Sequence, residues 1–280
     1  MAQASDQTLP KDTLYFPAKD REFLEPHLPQ KDGLDSNKCF ATLTFATSLD
    51  SQLALSPGAP TQLSGPQSKA MTHYLRFRHD AIMIGVGTAV ADNPSLNCRL
   101  EGAGGYGGSD LIGQPRPVII DPTARWDFSE KNKIFVLCRE GRGKAPYIIT
   151  GEQNPPAEQK KILEEHGGKF ITLGIKTSDI GSHRLDWSEL LQTLKAEGLD
   201  SVMIEGGGQV INSLLDPVFQ PLIDSIIVTI APTWLGQGGV VVSPSRQVDE
   251  HGKPRAAARL KEAKWYPFGE DVVLCGRVKL

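Results

Sequence analysis

The sequence predicts an α/β fold: a mostly parallel sheet with helices on both faces and an antiparallel edge near the C-terminus. Three observations carry this. Short apolar runs alternate with segments of helical spacing, the pattern of strands joined by crossover helices. The run Asp80-Ala-Ile-Met-Ile-Gly-Val-Gly87 is apolar without alternation, as an interior parallel strand should be. Two late apolar runs, 224–231 and 271–278, have no good helix between them, so they are expected to pair antiparallel as an edge. The 280 residues, 39% hydrophobic and 22% charged, suffice for one large core. We expect a single domain over 37–280 behind a polar, proline-punctuated arm over 1–36. That arm is read as loosely held, with one short helix near 20–27.

The elements follow in order. Residues 39–46 alternate apolar and polar and read as the first strand. A Gly/Pro-rich loop over 56–66 precedes a helix over 67–79, whose apolar face includes Met71, Tyr74 and Leu75. The strand 80–87 comes next. Residues 102–113 hold six glycines and read as a mobile surface loop. Strands are predicted at 117–121, 133–138 and 146–150, a charged helix at 157–166, and a strand at 169–173. A helix over 187–197 ends at Gly198, a residue suited to the left-handed C-cap. The strand 201–205 and the helix 208–215 precede the two late strands.

The stretch from Ser201 to Leu215 carries the chemistry. An apolar strand ends in Glu205, three glycines follow, and a helix begins. Bare backbone N–H groups at such a turn suit a phosphate. Open α/β sheets place their chemistry at this end of their strands. Gly85-Val-Gly87-Thr-Ala-Val90 begins like a dinucleotide fingerprint, but Val90 stands at the third glycine and no acid follows at the ribose position. What remains is a tight turn carrying Thr88 and Asp92. Arg76, Arg78 and Arg99 offer planar forks for phosphate oxygens. His73 and His79 read as helix-surface or packing residues. Arg139, Arg142 and Lys144 could supply a 2′-phosphate site or simply form a solvated loop.

Other classes fall away. A net charge of −3 gives no field for nucleic acid. No run approaches the about 18 apolar residues of a membrane span. Cys39, Cys98, Cys138 and Cys275 are far apart, with no CxxC pair, so neither zinc nor a disulfide scaffold is indicated. With no signal-peptide core at the N-terminus, a reducing, cytoplasmic setting is expected. No His spacing suggests a metal, and no zinc-deaminase signature is present.

Several motifs in the same order resemble one family. They are Ser48-Leu-Asp50, Thr72-His-Tyr-Leu-Arg76, Asp80 to Thr88, Ala91-Asp-Asn-Pro-Ser-Leu-Asn-Cys-Arg99, Pro117-Val-Ile-Ile-Asp121 and Val202-Met-Ile-Glu-Gly-Gly207. Together they are similar to the reductases of riboflavin biosynthesis, in particular the stand-alone fungal type that lacks a fused deaminase. The resemblance implies a dihydrofolate-reductase-like fold, NADPH as hydride donor, a phosphorylated ribosylaminopyrimidine as substrate, and a homodimer. It assigns Ala46, Thr88, Asp92, Gly207, Gly208, Gln209, Val210 and Ile211 to the cofactor. Arg76, Leu96, Arg99 and Glu205 go to the substrate, with the arginines near its phosphate and Glu205 at its ribose as the catalytic candidate. Leu63-Ser-Gly65 departs from an Ile-Thr-Ser-like loop of the family. For dimerisation the strand 226–230 and the turn at Trp234–Gly239 are the candidates. A pterin reductase of the same fold and a non-catalytic nucleotide-binding protein are the alternatives.

Overall fold

Parallel neighbours need crossover connections, and the chain supplies a helix for most of them. The computed structural model describes residues 9–30, 38–59, 61–177 and 183–280. In chain order the first half contains β1 (Phe40–Thr47), β2 (Gln52–Ala54), α1 (Pro66–Arg78), β3 (Ala81–Gly85), α2 (Val86–Asp92), β4 (Arg116–Ile120), α3 (Lys133–Arg139) and β5 (Tyr147–Thr150). Then come α4 (Ala157–Glu165), β6 (Lys169–Thr172), β7 (Ile175–Thr177), β8 (His183–Leu185), α5 (Trp187–Ala196), β9 (Ser201–Gly206) and α6 (Gly208–Leu214). The last part contains β10 (Ser225–Ile230), β11 (Val240–Val241), β12 (Gln247–Val248), β13 (Pro254–Arg255), β14 (Leu260–Phe268) and β15 (Asp271–Val278). A nine-stranded sheet runs β14-β15-β10-β1-β9-β3-β4-β5-β6. From β10 to β6 every pairing is parallel. The pairs β10–β15 and β14–β15 are antiparallel.

Alternate side chains of each strand enter different cores, which is why the strands read as continuously apolar. Leu43, Met83, Val118, Ile149, Val202, Ile204 and Ile226 face one side, where α5 covers them with Trp187, Leu190, Leu191 and Leu194. Met203, Ile227 and Cys275 face the other side, beneath Met71, Tyr74 and Leu75 of α1. Ile82, Ile84, Ile119 and Ile148 also face that side and are covered by Ile134 and Phe135 of α3 and Ile162 and Leu163 of α4. Helices therefore lie on both faces, as expected.

Four expectations change. Residues 133–138 form helix α3 instead of a strand. Because β4 and β5 pair side by side and parallel, the connection between them must leave the sheet. Gly85–Thr88 is no tight turn into a loop: α2 starts directly after β3. The loop 102–113 is tightly built, with Ala103 and Tyr106 fully buried. Its glycines let the chain approach itself: a Cβ on Gly104 would stand 2.4 Å from the Asp110 carbonyl oxygen, and one on Gly108 would stand 2.1 Å from that of Gly102. The Gln114 side chain locks the loop by donating to the carbonyls of Cys98 and Gly104 and accepting from the Cys98 N–H. Finally, β10 is an interior strand between β1 and β15, so 226–230 offers no free edge for pairing with a strand of another subunit. The edge is β14, which had no counterpart in the sequence reading.

Within residues 9–30 the arm is well packed. Phe16, Leu24 and Leu28 are buried in the core under α1. The Glu25 carboxylate accepts from Arg78 Nη1 at 2.5 and 2.6 Å and from the Tyr74 hydroxyl. Short 3-10 turns at Ala18–Asp20 and Glu25–His27 stand where one helix was expected. Among the described residues, no helix is long and apolar enough to cross a membrane.

His79 closes α1 from inside. Its Nδ1–H donates to the Leu75 carbonyl at 2.7 Å, and its Nε2 accepts from the Thr42 hydroxyl at 2.8 Å. Burial pushes its pKa down to about 4. Above pH about 6.5 the ring is neutral in both folded and unfolded chains. Between that value and about 4 only the unfolded chain takes up the proton, so stability falls with falling pH. The expected loss is about 3 kcal/mol by pH 4. Urea midpoints measured from pH 7.5 to 4.5 should show this slope, and His79→Gln should flatten it.

Candidate active site

The carboxyl ends of β1, β9 and β3 lie side by side and gather the sequence motifs. Glu205 is the penultimate residue of β9, and Gly206 pairs with Ile84 of β3. The three glycines after Glu205 each answer a local constraint. Gly206 has φ +94° and Gly207 φ +63°, backbone states that side chains disfavour. A Cβ on Gly206 would meet buried Ile211 at 2.6 Å, and one on Gly208 would meet Val240 at 2.5 Å. The chain thus turns sharply into α6, whose N-terminus has no side-chain cap. Its first N–H groups have no helical partner.

Thr88 faces this turn from α2. A methyl group at Gly207 would come within 3.1 Å of the Thr88 hydroxyl. Asp92, four residues on, shares a face of α2 with Thr88 and is exposed. Ala46 lies near the end of β1, three residues beyond the Leu43–Ile204 pair, toward the glycine turn. Gln209 is exposed at the start of α6, whereas Val210 and Ile211 point into the core. Any ligand contact from those two is therefore made by backbone.

The substrate candidates form a polar seam leading away from the turn. The Arg76 Nη2 donates to both Glu205 oxygens, at 3.0 and 3.1 Å. Its Nη1 donates to the Asn97 carbonyl at 3.1 Å, which ties α1 to the loop carrying Arg99. Both side chains of the pair are largely buried, at 15% and 20% exposure, so their mutual charge is little screened. Leu96 sits in that loop with φ +51°, its side chain in the core beside Ile82 and Ile84. Arg99 lies against His73, and its Nη1 stands 3.6 Å from the Asp12 carboxylate of the arm.

Residues 40–274 match the family model of the RibD C-terminal domain. The chain belongs to this family. Over 261 residues, 92% of this chain and 96% of the relative, it is 40% identical to the 2,5-diamino-6-ribosylamino-4(3H)-pyrimidinone 5′-phosphate reductase of Debaryomyces hansenii. The protein of the same name from Saccharomyces cerevisiae is 36% identical, over 92% of this chain and 94% of its own length. Among solved structures, the riboflavin biosynthesis reductase Rib7 of Saccharomyces cerevisiae aligns with a TM-score of 0.69 at 33% identity, covering 92% of this chain and 99% of that one. RibD of Acinetobacter baumannii shares the fold at 21% identity, with a TM-score of 0.66 over 88% of this chain and 59% of that one. The fold is accordingly the dihydrofolate-reductase-like one of RibD reductase domains.

In this RibD C-terminal domain, some sequence candidates stand apart from the seam. Arg142 is committed to Asp12, Glu140 and the Tyr106 hydroxyl. Lys144 lines a cavity of about 440 Å³ with Arg116 and His166, at the opposite ends of the strands. Neither residue can serve a 2′-phosphate at the glycine turn. Ser48 and Asp50, quoted above as a family motif, tie chain to chain: the Asp50 carboxylate accepts from Ser48 and from the Leu235 and Gly236 N–H groups. The Ser48 hydroxyl and these N–H groups hold the carboxyl of Asp50 below its usual range.

The sequence reading took His73 as a helix-surface or packing residue, and it is packed on α1 at 3% exposure against Arg99; no part was given to Asn97 or Asp12. His73 lies three residues before Arg76, a spacing that puts both on one helical face. That spacing was the available signal. Asn97 and Asp12 act through pairings distant in sequence and left none.

Proposed function

We propose that this chain is an NADPH-dependent reductase that converts the ribosyl group of 2,5-diamino-6-ribosylamino-4(3H)-pyrimidinone 5′-phosphate to a ribityl group. The observation that carries this reading is the juxtaposition of the Glu205–Arg76 pair with the uncapped glycine turn, in a chain 40% identical to a reductase of that name. The turn suits the cofactor because the start of α6 has no side-chain cap, the Thr88 hydroxyl faces it, and Gly207 leaves room that a side chain would fill. Thr88, Asp92, Ala46 and the backbone of Gly207–Ile211 hold the dinucleotide.

When bound, NADPH supplies the hydride. The chain's part is to place the substrate's C1′ against the donor carbon and exclude water, which is the main protein contribution to hydride transfer. The ring of the ribosylamine opens to an imine, C1′ accepts the hydride, and the nitrogen accepts a proton. Glu205, oriented by Arg76, receives the ribose hydroxyls and assists that proton movement. Arg99 holds the 5′-phosphate, and Leu96 shapes the loop between them. The protein works in the cytoplasm as a homodimer. Trp234, 73% exposed in the turn beside Asp50, is the apolar surface offered for the contact.

Oxidation of NADPH, followed by absorbance, should require the phosphorylated ribosylaminopyrimidine and yield the ribityl product by mass spectrometry. Equal turnover with dihydropterin in its place would sink the assignment.

A further inference from the structure

We propose that the cavity at the amino ends of β4, β5 and β6 is a second anion site, in which Arg116 and Lys144 hold the phosphate of a small organic phosphate. It lies at the opposite ends of the strands from the glycine turn and is independent of the reductase reading above.

The cavity holds about 440 Å³, within the range of about 300–1,000 Å³ for small-molecule sites. Arg116, the first residue of β4, is fixed in its wall. Its Nη1 donates to the Ala145 carbonyl at 2.7 Å and to the Gly167 carbonyl at 3.1 Å, one from each of the loops that enter β5 and β6. Its guanidinium lies over the Tyr147 ring, 4.6 Å from the centroid. The ordering of this side chain is thus complete before any ligand arrives.

What the fold leaves open is the rest of the donor set. Among the described residues, the Nε and Nη2 groups of Arg116 have no acceptor, and neither is closed off from solvent. That edge of a guanidinium is the fork that matches two phosphate oxygens. Lys144 lines the same cavity, and among the described residues its ammonium has neither a hydrogen-bond acceptor nor a carboxylate partner. Burial, with Arg116 close by, lowers its pKa. Asp80 opposes that shift from a distance, its Oδ2 accepting from the Ser201 hydroxyl at 2.8 Å. Arg139 adds a third cation without a carboxylate: its Nη1 donates to His166 Nε2 at 3.1 Å and its Nη2 to the Glu130 carbonyl at 2.9 Å. His166 supplies no donor, since its Nδ1–H is given to the Ile162 carbonyl at 2.8 Å. Asp110, also in the lining, is exposed, so water screens its charge.

Two cations with unmatched donors on one cavity call for an anion with several oxygens. A phosphate answers both, two oxygens on the arginine fork and a third on the ammonium. The volume asks for more than the bare ion. Leu111, Cys138 and Ala145 give the wall an apolar part, which suits the carbon skeleton of an organic phosphate.

Cys138 reports on the site, since it lines the cavity and is the least buried of the four free cysteines. Iodoacetamide labelling of the whole chain, read at Cys138 by peptide mass spectrometry, should slow about tenfold as inorganic phosphate saturates the site. Chloride at equal ionic strength should not slow it. Lys144→Met removes a charge that pairs with nothing in the fold, so the protein should stay folded and label at the same rate without phosphate. Its affinity for phosphate should fall about 10-fold to 100-fold, the range for a hydrogen bond between charged groups. Ribose 5-phosphate should protect at lower concentration than inorganic phosphate, and ribose should not protect. Protection that survives Lys144→Met with undiminished affinity, or a wild-type labelling rate indifferent to phosphate, overturns the proposal. Ribose 5-phosphate protecting no better than inorganic phosphate overturns the organic ligand and leaves a site for the free ion. If Cys138 does not react at all, phosphorus-31 line broadening of inorganic phosphate takes its place, and equal broadening by wild type and Lys144→Met has the same force.

Discussion

Glu205→Gln is expected to lower kcat/KM by at least tenfold, a loss of about 1.4 kcal/mol of transition-state stabilisation. The substitution keeps the shape of the side chain and removes its charge. Two effects compete in it. As a partner of Arg76, the carboxylate accepts two strong hydrogen bonds, and losing its charge weakens folding by about 1–3 kcal/mol. As a group at the reacting ribose, it accepts hydroxyl donors more strongly than an amide and stays ready for a proton. The first effect moves the melting temperature and leaves the folded enzyme's turnover alone. The second lowers kcat. Steady-state kinetics on folded protein at saturating NADPH distinguish them: a fall of less than about threefold in kcat/KM would reduce Glu205 to a partner of Arg76.

Gly206→Ala should be the most damaging single methyl group in the site. Its φ of +94° costs a side-chain-bearing residue about 1–2 kcal/mol. The new Cβ would stand 2.6 Å from Ile211, which is 1% exposed and packed in the core, adding about 1–3 kcal/mol of overpacking. The combined loss, about 2–5 kcal/mol, corresponds to a fall in Tm of roughly 5–15 °C. It also turns the N–H groups at the start of α6 away from any phosphate, so KM for NADPH should rise. Gly87→Ala is the control. Gly87 lies inside α2, its φ is not positive, and a Cβ there meets nothing within 4 Å. That change should be neutral or stabilise by about 0.4–1 kcal/mol. Thermal melts of the two variants side by side check both statements.

Much of the fold was legible because interior parallel strands are apolar on both faces, as Ala81–Ile84 and Val202–Ile204 are. Lys133–Cys138 was not, because five apolar residues fit a strand or a buried helix equally well. The neighbourhood of β4 and β5, which decides between them, is not a local property. Strand β14 was invisible for the opposite reason: an edge strand with Lys261, Glu262 and Lys264 exposed carries the charges that edges need and looks like a loop. In the site, Glu205 and its glycines announced themselves through one contiguous segment. The pairing of Arg76 with Glu205 did not, since 129 residues separate them. The glycines of the loop 102–113 misled because the same residue serves mobility and close backbone approach alike.

The strand order also governs how this chain can be made. β1 is the first strand of the large sheet to emerge during synthesis, yet its partners in it are β9 and β10. At about 5–20 residues per second, the interval between completing Thr47 and completing Gly206 is roughly 10–30 s. Throughout it, β3 to β6 can assemble beside one another, while β1, made long before, waits for β9, which joins it to β3. The last third of the polypeptide thus closes the molecule, and truncation anywhere before β9 should leave a nascent chain with its two most apolar edges open to chaperones or to aggregation.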